Sequence, residues 1–146
     1  MGRLHLQGYI CEDYDYVISL SPIKCKYCCY GNSILTKIEK FAEMNGEVKT
    51  LNPYDDDYWG LGQTNTRIEN VNLRIYVTEN ECTLEEAESS LIDKLYGVLT
   101  TETELEGYSE YTITGLDIND FSIGGHNLEK EIRSYMGKYM HFVLEC

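Results

Sequence analysis

The stretch Val71-Asn-Leu-Arg-Ile-Tyr-Val-Thr78 constrains the chain more than any other. Val71, Leu73, Ile75 and Val77 alternate with Asn72, Arg74, Tyr76 and Thr78. A period of two puts successive side chains on opposite faces, so this stretch predicts a half-buried strand of antiparallel type. A strand of that kind needs partners on both edges and a cover for its apolar face. The remaining chain has to supply them.

Thr83-Leu-Glu-Glu86 has the form of a capping box, in which Thr and Glu satisfy the free amides of a first helical turn. Leu84, Ala87, Leu91, Ile92 and Leu95 continue at helical spacing, which predicts a helix over 83–96 that ends at Gly97. A second helix is predicted from Ser33 to Asn45, with Ile34, Leu35, Ile38, Phe41 and Ala42 facing inward. A third follows the N-cap Asn127, carries Leu128, Ile132, Tyr135 and Met136 on one side, and stops at Gly137. Further strands are expected near 3–11, 15–20, 109–116 and 139–145, with a short one at Cys25–Tyr30. Residues 52–70 read as a long loop, of the kind that is often functional. The expected fold is a single α+β domain over residues 1–146: a mixed, mainly antiparallel sheet with about three helices packed on one face.

The chain's 146 residues suffice for one ordinary core without help from disulfides. No run approaches the roughly 18 apolar residues that span a bilayer, and the N-terminal stretch lacks the apolar region of a secretory signal. The expected location is therefore the cytoplasm, or the host cytoplasm for a phage-encoded protein. In a reducing compartment the six cysteines are thiols or metal ligands rather than a disulfide framework.

Charge is distributed unevenly. The net charge is −13, and residues 75–129 hold 13 acidic residues against the single base Lys94, or −12 of that total. Direct nucleic-acid binding is excluded as an expectation, because it rests on neutralising phosphates with Lys and Arg. Such a field attracts basic protein surfaces or keeps the chain soluble. Glu102, Glu104, Glu106 and Glu110 are the carboxylates of this segment expected to meet a partner. Tyr54, Asp55, Asp56, Asp57, Tyr58 and Trp59 add carboxylates beside aromatics, a combination suited to protein recognition. Tyrosine is frequent, at 13 residues against three Phe, so many hydroxyls must meet water or polar partners.

Two small constellations have plainer readings beside the functional ones. In Gly124-Gly125-His126-Asn127 the glycines free the backbone, and a following helix start offers amides to an anion. The pattern is not a dinucleotide or phosphate-loop signature, and Asp117 and Asp120 oppose an anion, so a tight strand-to-helix turn capped by Asn127 is the expected reading and the anion site its alternative. Cys25 and Cys28 have the spacing of half a zinc knuckle but no second half, and thiols buried on a strand are the expected state. The three histidines lie far apart in sequence. A Cys–His pair or an Asp–His pair could assemble only through the fold, and no catalytic signature is present.

In size, acidity and richness in Tyr, Glu, Asn and Ile, the chain resembles the small acidic accessory proteins carried by phages and mobile elements of low-GC bacteria. The resemblance implies no particular residue. It implies roles found in that group: inhibitors of host defence such as anti-CRISPR proteins, nucleotide-sequestering proteins and minor virion components. The resulting expectation is a non-enzymatic protein without cofactor that docks an acidic, Tyr-rich surface on a basic surface of a partner protein. A binder of a small anionic ligand, such as a signalling nucleotide, at Gly124–Asn127 is the alternative. A virion structural or assembly protein is a third possibility.

Overall fold

The computed structural model describes residues 2–12, 17–27, 32–51, 62–106, 115–123 and 126–146. In chain order the elements are β1 (Arg3–Glu12), β2 (Ile18–Ser21), β3 (Asn32–Ser33), α1 (Ile34–Asn45), β4 (Glu47–Leu51) and β5 (Gly62–Thr78). They continue with a 3-10 turn (Glu88–Ser90), β6 (Leu91–Glu106), β7 (Gly115–Ile123), β8 (His126–Asn127), α2 (Leu128–Arg133) and β9 (Tyr139–Glu145). The nine strands form one sheet in the order β3-β2-β1-β9-β5-β6-β7-β8, with β4 also on β5. Every strand pair is antiparallel, and an isolated parallel bridge joins Glu12 to Tyr27. The α+β class therefore holds, with two helices rather than three.

The alternating stretch is the second half of β5, where Leu73 and Ile75 are buried. One edge of β5 is shared by two strands in succession. β9 pairs with Asn72–Thr78 and β4 with Gln63–Arg67. Between them the register shifts at a bulge that holds Asn70 at φ 58, a left-handed conformation that asparagine tolerates better than most residues. The other edge of β5 is filled throughout by β6.

That pairing overturns two expectations. The helix expected over 83–96 is absent: its capping box forms, with Thr83 N donating to Glu86 Oε1 at 3.1 Å and Glu86 N to Thr83 Oγ1 at 3.2 Å. The backbone then makes one turn and a 3-10 turn before leaving as a strand at Leu91. A local cap is worth about 1 kcal/mol, whereas the β6 register satisfies main-chain groups along the whole exposed edge of β5. Gly97, expected to end a helix, instead lies opposite Val71 inside the ladder. The loop expected over 52–70 is also corrected, since Gly62–Asn70 is strand. Thr66 is buried there, and its hydroxyl bonds that of Thr101 across the ladder, so a polar stretch serves as a strand interior. Residues 52–61 lie outside the described residues, as do 107–114, where most of one expected strand falls.

The sheet has two different faces. On the inner face, Leu6, Ile10, Leu73, Ile75, Phe142 and Leu144 join one core with Ile34, Leu35, Ile38, Phe41 and Ala42 of α1 and Leu128 and Ile132 of α2. The caps agree with the sequence: Ser33 Oγ accepts from Thr36 N, and Asn127 Oδ1 accepts from Lys130 N at 3.0 Å. Gly137 adopts φ 86, the left-handed geometry that stops the α2 region. On the outer face the segment after β5 folds back as a cover, so that Tyr76, Val143 and Ala87 form a second cluster flanked by Cys82 and Leu84. The capping-box turn therefore covers the sheet instead of starting a helix.

Candidate functional site

Two regions carry chemistry, and the first is the acidic ladder of β6 and β7. Its register sets Glu102 opposite Asp120 and Glu104 opposite Asp117, and Glu106 ends the ladder opposite Gly115. Like charges directly opposite one another on a sheet are destabilising. Glu110 lies outside the described residues, as do Tyr54, Asp55, Asp56, Asp57, Tyr58 and Trp59.

The Gly124–Asn127 stretch is described only in part, because Gly124 and Gly125 lie outside the described residues. His126 and Asn127 form β8 against Ile123 and Ser122. The Asn127 side chain is used as the cap of α2, a six-residue helix. Its acceptor oxygen is thereby occupied, in keeping with the turn reading.

Cys25 is half-buried and lies outside any strand, which corrects the expectation of a strand thiol there. Cys28 falls outside the described residues. Among the described residues no group of three His, Cys, Asp or Glu side chains could hold a metal ion. No described helix is long and apolar enough to cross a membrane.

The second region is one that sequence did not assemble. His5 on β1 and His141 on β9 lie diagonally across the ladder, since His5 pairs with Val143 and Gln7 with His141. His5 Nε2 is 2.9 Å from His141 Nδ1, and His141 Nε2 is 2.8 Å from the Cys82 carbonyl oxygen. A carbonyl only accepts, so the His141 Nε2 carries a proton. In the uncharged pair its Nδ1 then accepts from the His5 Nε2–H, which leaves Nδ1 as the basic nitrogen of His5. Burial lowers the pKa of His5, and the neighbouring charges of His141 and Arg3 lower it further. Burial therefore favours the uncharged form of His5.

This chain of bonds decides the question of a Cys–His dyad. Cys82 Sγ is 3.9 Å from His141 Nε2 and 3.4 Å from Thr78 Oγ1. The His141 Nε2 proton is committed to the carbonyl, so that nitrogen has no lone pair with which to take the thiol proton. The arrangement fixes the covering segment to the sheet. Tyr139 stacks edge-on to both His141 and Tyr9, and the Tyr9 hydroxyl accepts from Glu81 N at 2.9 Å. Burial raises the pKa of the Tyr139 hydroxyl, helped by Glu81, Cys82 and Tyr9. Tyrosine thus meets the polar-contact expectation here, and Tyr27 and Tyr96 meet it by exposure. The outward parity of His5 and His141 was readable in their strands, but the β1–β9 register that joins them was not.

A cavity of about 440 Å³ lies beside this network, lined by residues from β1, the end of β2, the start of α1 and the covering segment. No protein-family model, curated protein or solved structure matches the chain.

Proposed function

We propose that the chain is a non-enzymatic acidic binding protein, a phage-type inhibitor of a bacterial defence system that docks on a basic, nucleic-acid-binding surface of a partner protein. The observation that carries this reading is the like-charge register of β6 and β7 within a segment of net charge −12. A ladder that sets Glu against Asp at two positions, with Thr103 opposite Ile118 between them, is disfavoured relative to one that pairs opposite charges. A basic partner surface that neutralises those carboxylates would relieve this, so the arrangement favours binding over folding. Long-range attraction between opposite charges also speeds encounter. The fold contributes a rigid extended platform, because β6 is held along its length by β5.

The test uses a partner captured at low salt and then purified. Its affinity is measured for the parent protein and for a variant with Glu102, Glu104, Glu106 and Glu110 all replaced by Gln. The expected result is about tenfold or greater weakening in the variant, and a steep loss of parent affinity as salt rises. Affinity that is equal in the two proteins and indifferent to salt would sink the reading.

A further inference from the structure

We propose that the free edge of β1 is a peptide-binding site, which takes an extended segment of a partner protein as an additional strand. β1 pairs with β9 from Arg3 to Tyr9, but with β2 only from Tyr9 to Glu12. Over Arg3–Gly8 no described strand occupies the edge on the β2 side. β2 cannot continue along it, because Pro22 follows Ser21 and lacks the amide a further ladder bond needs.

The direction of the free main-chain groups follows from the bonds that are made. Ile10 exchanges bonds with the β9 side, donating to Lys138 O and accepting from Gly137 N, and Gly2 O accepts from Cys146 N. Even-numbered residues of β1 therefore face β9. The N–H and C=O groups of His5 and Gln7 face the other way, toward the cavity that both residues line. Four main-chain groups in a row present the donor–acceptor pattern to which a strand adds.

The walls specify the occupant. In an added antiparallel strand, residues opposite Leu6 point to the inner face, and residues opposite His5 and Gln7 point to the outer face. Inward residues meet Leu6, Leu20 and Ile34, all buried apolar side chains that line the cavity. Outward residues meet Glu81, which has no ion pair among the described residues. Lys37 stands on the helix side of the cavity and opposes a basic residue placed inward. The segment is accordingly apolar inward and basic outward. A second copy of this chain is the poorer occupant, because two chains of −13 repel one another.

The inference uses none of the β6–β7 carboxylates and stands apart from the reading above. The probe is a capped hexapeptide alternating valine and lysine, mixed with the full chain, with amide hydrogen exchange read residue by residue. In the free protein the His5 and Gln7 amides exchange fast and the Leu6 amide slowly. Saturating peptide slows exchange at His5 and Gln7 at least about tenfold, as ladder bonds do. A peptide alternating valine and glutamate binds at least about tenfold more weakly. A lysine peptide N-methylated on the amides that face β1 gives no protection. Gln7→Pro removes one edge donor without touching the β9 ladder, and it abolishes binding with the fold retained.

The variant with the four glutamates of 102–110 neutralised binds the peptide as the parent does, which separates this site from the acidic ladder. The proposal is overturned if the lysine peptide leaves the His5 and Gln7 amides unprotected, or if the N-methylated peptide protects them equally. It is also overturned if those amides become protected with rising protein concentration alone, since a second copy then holds the edge.

Discussion

The two faces of the central sheet solve the same problem with different chemistry. The inner face is covered by α1 and α2 through aliphatic and aromatic contacts, and Phe142 and Leu144 are fully buried there. The outer face is covered by a short non-helical segment, and its contacts are a histidine pair, a carbonyl, tyrosine edges and the small Tyr76–Val143–Ala87 cluster. Apolar burial on the inner face scales with area and tolerates changes in direction. The outer cover depends on a few bonds whose geometry and protonation must both be right. Each face also carries a pair of neighbouring titratable groups, Asp93 with Glu131 inside and His5 with His141 outside. Polar contacts thus close the outer face, while the large apolar core lies on the opposite one.

The adjacent residues Phe142 and Val143 point to opposite faces and offer the most direct way to break this comparison. Phe142→Ala should cost about 3–5 kcal/mol, because it leaves a cavity in the large core. Val143→Ala should cost about 1–2 kcal/mol, since it removes roughly two methylenes from a small cluster. Urea denaturation of both variants measures the gap. Equal costs would mean that the outer cover contributes as much as the helical core.

Much of this asymmetry was legible in the sequence, and the reasons differ by element. Val71–Thr78 and Tyr139–Glu145 were readable because alternation reports a strand with two unlike faces. α1 and the start of α2 were readable from their caps. At 83–96 the capping box written in the sequence does form, yet no helix follows it. Local bonds set the turn, but the unfilled edge of β5, distant in sequence, decided what followed. Gly62–Asn70 was missed for a related reason: Thr66 and Thr101 are buried as a hydrogen-bonded pair, and composition alone reads such residues as solvent-facing. The histidine network depended on register between the two ends of the chain, which no local pattern encodes.

The inner titratable pair should give the next largest effect. Glu131 is pushed up to about 7, first by burial and then by the neighbouring Asp93 carboxyl. Its Oε2 is buried with no hydrogen-bond partner, a position that disfavours the charged carboxylate. A carboxyl whose folded value lies above its unfolded value of 4.5 contributes stability that is fully present below 4.5 and lost as pH rises through about 7. Glu131→Gln keeps the shape and removes the ionisation. It should stabilise the protein by about 1 kcal/mol at pH 8, discounted for partial solvent access, and by less at pH 5. Thermal melts of parent and variant across this range measure the difference, and a variant no more stable than the parent at pH 8 would remove the carboxyl pair as a source of strain.

The outer pair should give the smallest effect, and of opposite sign. His5 has a folded pKa below its ordinary value of 6.5, so it contributes stability that is present above 6.5 and lost as pH falls below it. The cause is burial first, with the neighbouring His141 and Arg3 adding to it. Within the window where the two pairs overlap, the inner pair gains stability as pH falls while the outer pair loses it. The parent's dependence on pH is therefore flatter than the inner contribution alone. His5→Gln, which keeps a donor but does not titrate, should tilt the profile, so that acid stabilises the variant more than the parent by a few tenths of a kcal/mol between pH 7 and pH 5.5. Combining His5→Gln with Glu131→Gln should restore the flatter profile. A double variant that keeps the tilt of either single one would mean that the two faces titrate through groups other than these.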